Sequence, residues 1–302
     1  MKKIIIIGSC NTDMVIKTAR IPVPGETIIG GTFFMNPGGK GANQAVAVAR
    51  LGGVATFVAK TGNDMFGRQS VDLYQSENIN TDYVFSDPQR PSGVALISVD
   101  AHGENSIVVA SGANAALLPK DIDHAREAIE TSSYLLMQLE VPMETIEYSA
   151  DIASKKGVKI VLNPAPAAFL PQSLIEKLYL ITPNKTEAEM LTGIKVSDVE
   201  SAKKAAKAIS AKGVENVIIT LGSDGSVVKE KDNYYHVEAY KVETVDTTAA
   251  GDTFNGALCV ALSEGKELKE AVEFAAKAAA LSVTRMGAQS SIPYRKEVLS
   301  LE

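Results

Sequence analysis

The sequence predicts an α/β protein with a mainly parallel sheet and a small β-sheet inserted into it, on three observations. Short apolar runs closed by glycine or polar turns recur along the chain, segments of helical periodicity separate most of them, and two stretches break this alternation with strand-like sequence. Parallel strands covered by helices on both faces read as unbroken apolar runs, which is the pattern here. With 302 residues, 45% hydrophobic and 22% charged, the chain suits two domains or one large core with an insertion, and disorder is excluded.

The first run, Lys3 to Gly8, is a strand buried on both faces, followed by a polar turn from Ser9 to Asp13. Met14 to Met35 is rich in Pro, Gly and Thr with short β-like pieces, and Ser92 to Ala110 holds two alternating segments around the turn Ala101-His-Gly-Glu104, a hairpin. Together these two stretches form the inserted sheet. Further strands fall at Thr56–Ala59, Tyr134–Leu139, Lys159–Leu162, Leu178–Thr182 and Asn216–Leu221. Between them, Pro119 and Asp121 open one helix, and another runs from Met143 to Lys156, ending at Gly157 beside lysines that suit a helix C-terminus. The alanines from Ala271 to Ala280 allow close helix-to-sheet packing.

Thirty basic against 36 acidic residues leave a net charge of -6, which disfavours a sequence-independent grip on nucleic acid or an anionic membrane. No apolar run approaches the ~18 residues of a membrane span, and the lysines before Ile4 are not followed by a secretory core, so a cytoplasmic location is expected. Cys10 and Cys259 have no CxxC spacing and His102, His124 and His236 are scattered singly, which argues against a zinc site. His102, in a turn, and His124, on a polar helix, read as ordinary surface residues.

Two segments carry candidate chemistry. Asn36-Pro-Gly-Gly-Lys-Gly-Ala-Asn-Gln44 runs into a helix from Ala42 to Leu51; its glycines let backbone approach a ligand, and the helix start offers free N–H groups. It lacks the GxxxxGK[ST] of a Walker A loop, Gly8-Ser-Cys-Asn11 is not GxGxxG, and an ordinary turn remains an alternative. Val245-Asp-Thr-Thr-Ala-Ala-Gly-Asp-Thr-Phe-Asn-Gly256 passes from an extended segment through small residues into a helix from Thr253 to Leu262. A carboxylate at such an anion-binding helix start would repel phosphate. Asp252 therefore makes better sense as a proton acceptor beside a reacting hydroxyl, with a simple N-cap as the alternative.

Gly38-Gly-Lys-Gly-Ala-Asn43 and Asp246-Thr-Thr-Ala-Ala-Gly-Asp-Thr-Phe254 resemble the two signatures of the ribokinase family, also called the phosphofructokinase-B family of carbohydrate kinases. The resemblance covers the whole chain and includes Asn11-Thr-Asp13, Asn184-Lys-Thr-Glu187 and Thr284-Arg-Met-Gly-Ala-Gln-Ser-Ser-Ile-Pro293 in the same order. It implies a three-layer α/β/α sandwich with residues 1–13, 36–91 and 111–302 as core and residues 14–35 and 92–110 as a β-sheet lid that excludes water, two lids clasping each other in a homodimer. It further implies ATP-dependent phosphorylation of D-ribose at O5, with Mg2+ and K+ as cofactors. A fructokinase, deoxyribokinase or nucleoside kinase of the same family is an alternative, as is a non-catalytic sugar-binding or nucleotide-sensing protein on the same fold.

The resemblance assigns roles position by position. Asp252 matches the catalytic base, and the backbone N–H groups of Ala249, Ala250, Gly251 and Asp252 the anion hole; much of the wider family has glycine at 249, so that backbone is expected to suit alanine. Asn11, Asp13, Gly39, Lys40, Asn43 and Glu140 match sugar-binding positions, although Glu140, before Val141-Pro142, also reads as a surface carboxylate preceding a helix. Asn184 and Glu187 match the motif that acts around magnesium and the phosphates, through water, and Thr220, Gly222, Ser223, Gly225, Gly251 and Ala276 match the nucleotide side. Asp246, Thr248, Ser282, Arg285, Gly287 and Ser291 match oxygen ligands of a potassium ion, with backbone carbonyls acting at Thr248, Arg285 and Gly287 because arginine has no side-chain acceptor and glycine no side chain. The plainer alternative is that Asp246 only caps a turn.

Overall fold

The computed structural model describes residues 2–301, so the outermost positions of the expected core, 1 and 302, lie outside it. Among the described residues the strands are β1 (Lys3–Ile7), β2 (Asn11–Lys17), β3 (Thr32–Gly38), β4 (Val54–Gly62), β5 (Asn80–Asp87), β6 (Gly93–Val99), β7 (Asn105–Ala110), β8 (Tyr134–Met137), β9 (Lys159–Leu162), β10 (Leu180–Ile181), β11 (Asn216–Thr220), β12 (Ser226–Glu230) and β13 (Asn233–Val237). A large sheet has the order β13-β12-β11-β10-β9-β8-β1-β4-β5, parallel from β5 to β11, with β12 and β13 antiparallel.

The alternation of β1 divides the core. Ile4 and Ile6 face one apolar cluster with the helices Lys40–Arg50, Ala250–Ser263 and Leu268–Ser282, while Ile5 and Ile7 face a second with Met143–Lys155 and Val199–Ser210. All four isoleucines are fully buried, which explains the unbroken apolar run at the start of the chain. The result is a sheet between two helical layers. No described helix is long and apolar enough to cross a membrane.

A second sheet, in the order β3-β2-β6-β7, is antiparallel except for the parallel pair β2 and β6. Its strands run past the expected insertion limits: Asn11–Asp13 and Asn36–Gly38 are paired to each other within it. The polar turn read from Ser9 to Asp13 is corrected accordingly, since Asn11 already begins β2 and is hydrogen-bonded between β3 and β6. Helix starts also move. The glycine segment becomes helical at Lys40 and the second candidate helix begins at Ala250, not Thr253, while Val245–Thr248 is loop and not strand.

Candidate active site

Helix Ala250–Ser263 begins behind Ala249, whose φ of 61° lies in the left-handed region. Alanine is therefore held in a conformation that favours glycine, contrary to the expectation of a conformation suited to it. The Ala250 N–H donates to the Thr247 carbonyl (3.2 Å), whereas the N–H groups of Ala249, Gly251 and Asp252 have no acceptor among the described residues. Those three free donors stand at the positive end of the helix dipole, an arrangement that receives an anion. Of the four amides expected to form an anion hole, three are free to do so.

Asp252 is the third residue of this helix, not its N-cap, and is 6% exposed. Its carboxylate accepts from Asn43 Nδ2 (2.9 Å, to Oδ2) and from Gln44 Nε2 (3.0 Å, to Oδ1). Burial pushes its pKa above the ordinary value, while Lys40 and the two amides pull against that rise. A buried carboxylate that stays within reach of a cation is a stronger base than a solvated one.

The expected sugar side gathers around the end of β1. Asn11 Oδ1 accepts from Asn114 Nδ2 (2.7 Å), and Asn114 also clasps the Cys10 backbone at both N–H (2.9 Å) and carbonyl (3.1 Å). Asp13 lies against Gly38, where a Cβ would stand 2.2 Å from its Oδ2, so only glycine leaves it room. Burial, then Glu140 and Asp252, raise the Asp13 pKa to about 6 against the pull of Lys40. Glu140 Oε2 accepts from Ser9 Oγ (2.5 Å) and from the Lys40 backbone N–H (3.0 Å), just after Gly39 caps the helix Lys40–Arg50. Glu140 is thus tied to the helix start rather than left as a free surface carboxylate. Asp252 foremost, with Glu140, Glu187 and Asp13, raises the pKa of the Lys40 ammonium against its burial. A cleft of about 420 Å³ is lined by Asn11, Asn114 and Glu140 and by Val109 of β7, so it opens between the core and the small sheet.

A second cavity of about 580 Å³ adjoins the helix start at Ala250 and Gly251. Thr220, Gly222, Ser223, Gly225, Gly251 and Ala276 line it as expected, and so do Tyr240, Val242, Phe254, Ala279, Ala280 and Val283, which sequence reasoning missed. Ala276, Ala279 and Ala280 leave a wide, mostly apolar slot that suits the flat face of a nucleobase. Asn184 and Glu187 do not line it. They form a reciprocal cap on the helix Lys185–Thr192: Asn184 Oδ1 accepts from the Glu187 N–H (2.9 Å), and Glu187 Oε2 accepts from the Asn184 N–H (2.8 Å). Burial raises the Glu187 pKa, opposed by the Asn184 N–H and by Lys40 and assisted by Asp252.

The last expected group is brought together in part. Asp246 Oδ1 accepts from the N–H and Oγ1 of Thr248 (2.9 and 2.6 Å), and its Oδ2 accepts from the Gly287 N–H (2.9 Å), pinning two loops to each other. The carbonyls of Thr248, Arg285 and Gly287 accept no hydrogen bond among the described residues. The Arg285 guanidinium pairs with Glu297 and points its charge away from this task. Ser282 and Ser291 are buried, and their hydroxyls donate to the carbonyls of Ala279 and Ala288 (2.8 Å each).

The model of the pfkB family carbohydrate kinases matches residues 1–295. This chain belongs to that family. Among curated relatives, the ribokinase of Haemophilus influenzae is 47% identical over 99% of this chain and 97% of its own length, and the deoxyribokinase of Salmonella typhi is 39% identical over 96% and 95%. Among solved structures, that of Arabidopsis thaliana ribokinase complexed with ribose and ATP superposes with a TM-score of 0.93 at 34% identity, covering 99% of this chain and 97% of that one. The ribokinase of Thermotoga maritima gives a TM-score of 0.90 at 40% identity over 99% of both chains. As a pfkB carbohydrate kinase the protein is an enzyme of phosphoryl transfer.

Within this family framework, the residues missed from sequence are those that hold the others. Ser9, Gln44, Asn114 and Asn163 are buried polar side chains that touch a named site residue or its partner. The only sequence signal available for them was a polar residue at an apolar position: Gln44 in the helix of the glycine segment, and Asn163 directly after the run Lys159–Leu162.

Proposed function

We infer that this carbohydrate kinase transfers the γ-phosphoryl group of ATP to O5 of D-ribose, giving D-ribose 5-phosphate and ADP. One observation carries the reading: a buried carboxylate, Asp252, stands at a helix start whose free N–H groups adjoin an apolar cavity, while its two oxygens are held by Asn43 and Gln44 of the glycine-segment helix. The sugar fits beside Asp252, where Asp13, Lys40 and Glu140 share its field and Asn11 and Glu140 line the adjoining cleft, offering donors and acceptors. The nucleotide fits the apolar cavity, with its phosphates directed at Ala249–Asp252. Asp252 takes the proton of the O5 hydroxyl as the O5–phosphorus bond forms, and the bond from phosphorus to the bridging oxygen of the β-phosphate breaks. The free amides and the Lys40 ammonium stabilise the negative charge that develops on the phosphoryl oxygens.

Four carboxylates, those of Asp13, Glu140, Glu187 and Asp252, surround one ammonium, and this acidic field disfavours a bare polyphosphate. A magnesium ion held by the nucleotide's phosphates fits that field, with Glu187 acting through water; no three Asp, Glu, His or Cys side chains converge among the described residues to cage it directly. Bound there, it neutralises phosphate charge. The free carbonyls of Thr248, Arg285 and Gly287 beside Asp246 suit potassium, which would fix the turn ahead of the anion hole. The small sheet serves as the lid, on the division 14–35 and 92–110 against the remaining core. Its exposed apolar side chains, with Phe33 at 59% and Val108 at 65%, support a homodimer through paired lids. Two unpaired, buried cysteines and the nucleotide substrate fit a cytoplasmic setting.

ADP release across a sugar panel tests the reading. Ribose should give the highest kcat/KM. A higher value for 2-deoxyribose would move the enzyme beside its deoxyribokinase relatives, and a higher value for fructose would make it a fructokinase. No ADP with any sugar or nucleoside would leave a binding protein.

A further inference from the structure

Gln44 is fully buried, carries no charge and is hydrogen-bonded at both ends of its amide. Its Nε2 donates to Asp252 Oδ1 (3.0 Å) and to Asn163 Oδ1 (3.1 Å), and its Oε1 accepts from Gln138 Nε2 (2.5 Å). Asn163 in turn donates Nδ2 to the Thr182 carbonyl (3.3 Å). We propose that Gln44 is a positioning residue for Asp252, the end of a one-way chain of side-chain amides that fixes the rotation of the carboxylate and keeps it charged.

The direction of the chain follows from its first link. A backbone carbonyl can only accept, so Asn163 turns its NH₂ toward Thr182 and its oxygen toward Gln44. Gln44 must then present its NH₂, and both hydrogens are used, one on Asn163 and one on Asp252. Gln138 locks the far end by donating to the Gln44 oxygen, in a space that exists because residue 8 is glycine: a Cβ there would meet Gln138 Oε1 at 2.1 Å. Asn43 holds the other oxygen, Oδ2, so the carboxylate plane is set by two neutral donors.

The electrostatic consequence separates Gln44 from the charged groups. Lys40, Glu140, Asp13 and Glu187 are the ionisable groups that share the field of Asp252, and Gln44 alters none of their charges. It stabilises only the ionised form of Asp252, by a hydrogen bond that burial makes stronger. Loss of that donor therefore has a signature: the base protonates at higher pH.

This inference rests on the reading of Asp252 as the base, so both are tested in one experiment. Gln44→Met keeps the shape and removes the donor; kcat at saturating sugar and nucleotide is followed from pH ~5 to ~9, with KM for ATP and the melting temperature. The expected result is an acid limb moved upward by about one unit, equivalent to tenfold in the protonation equilibrium, so that kcat falls by up to ~10-fold on the acid side and little at pH ~9, with a KM for ATP within about twofold of the parent. Gln44→Glu should reverse the profile. Its protonated acid can donate to Asp252 at low pH, and its ionised form repels it at high pH. A folded Gln44→Met whose acid limb coincides with the parent's overturns the proposal, as does a loss of kcat uniform with pH. If Gln44→Met does not fold, Gln138→Met frees the far end of Gln44, and its acid limb should move the same way by a smaller amount; an unmoved limb overturns the proposal equally. Asp252→Asn, run alongside, keeps the two readings apart: if it retains the parent kcat the base assignment fails, and if it loses activity while Gln44→Met keeps the parent profile only the positioning role fails.

Discussion

Gly41 lies directly on Gly8: a Cβ on Gly41 would come 2.6 Å from the Gly8 carbonyl carbon and from the Ser9 nitrogen, and 2.7 Å from the Gly8 Cα. This backbone contact lets the helix Lys40–Arg50 start on the end of β1. From that position the Lys40 N–H and Ser9 Oγ reach Glu140, and Asn43 and Gln44 reach Asp252. One pair of glycines sets the spacing between Glu140 and Asp252.

Gly41→Ala should therefore act on catalysis through geometry. The atoms it would meet are backbone, which cannot rotate aside, so the helix start must move by several tenths of an ångström or more. A displacement near ~1 Å can cost ~10² in rate. The expected outcome is a kcat at least ~10-fold below the parent together with a lower melting temperature, measured by ADP release and thermal unfolding. Parent-like kcat would show that the contact does not set the catalytic spacing.

That contact also shows what was legible in the sequence and what was not. The glycine segment could be read as a close backbone approach, because glycine before a helix has few other uses. Its partner, Gly8, lies 33 positions away by the numbering and read only as the end of a strand. The same division runs through the fold. β1, β9 and β11 are apolar runs buried on both faces, so composition marks them, whereas β5 is a half-exposed edge strand that starts Asn80-Thr-Asp82 and pairs with β4 through a register shift, leaving no clean period. Asp252 could be singled out by chemistry, as a carboxylate where an anion belongs. Asn163 and Gln138 could not, because what makes them matter is a buried partner more than 90 residues away.

Ala249 provides a stability prediction with a sign. Its φ of 61° costs ~1–2 kcal/mol for a residue with a Cβ, and glycine would remove that cost while adding ~0.4–1 kcal/mol of unfolded-chain entropy. Ala249→Gly should be neutral or stabilising by up to ~1 kcal/mol in urea unfolding and should keep its activity, since the 249 N–H remains. Ala249→Val, branched at Cβ, should destabilise by more than ~1 kcal/mol. Equal effects of the two substitutions would mean that the turn relaxes readily.

With Asp13 in the proposed sugar site, sugar affinity should depend on pH. Its pKa, raised to about 6 by burial and by Glu140 and Asp252, leaves it ionised at neutral pH and protonated under mildly acidic conditions. An ionised carboxylate accepts hydrogen bonds from sugar hydroxyls better than a carboxylic acid does. KM for ribose should rise as pH falls below about 6, approaching tenfold per unit, with KM for ATP much flatter. The stability effect has the opposite direction. A carboxyl whose folded pKa exceeds its unfolded value of ~3.9 contributes most below that value and loses the contribution as pH rises through about 6. Asp13→Asn should therefore melt higher than the parent at pH ~7 in the absence of sugar, while binding ribose worse. A lower melting temperature would contradict the linkage.

Asp246 leads to the prediction for a monovalent cation. Burial pushes its carboxyl up, but donors from Thr248 and Gly287 outweigh that and hold its pKa below the ordinary range, so it remains charged at neutral pH. Its two oxygens pin the loop before Ala249 to the loop from Val283 to Gly287, and the carbonyls of Thr248, Arg285 and Gly287 keep their lone pairs free. One fixed negative charge with neutral oxygens around it suits a singly charged, weakly hydrated ion; a divalent ion would call for more carboxylates. An ion seated there would hold Ala249 in its left-handed conformation and so aim the free N–H groups of Ala249, Gly251 and Asp252. Preorganised donors of this kind are worth ~10²–10³ in rate elsewhere, so even partial loss of their alignment is measurable. Activity should rise at least ~10-fold with potassium at fixed ionic strength, sodium should substitute poorly, and Asp246→Ala should lower the plateau and flatten the response. Indistinguishable rates in potassium and in a bulky organic cation would leave Asp246 as a turn cap alone.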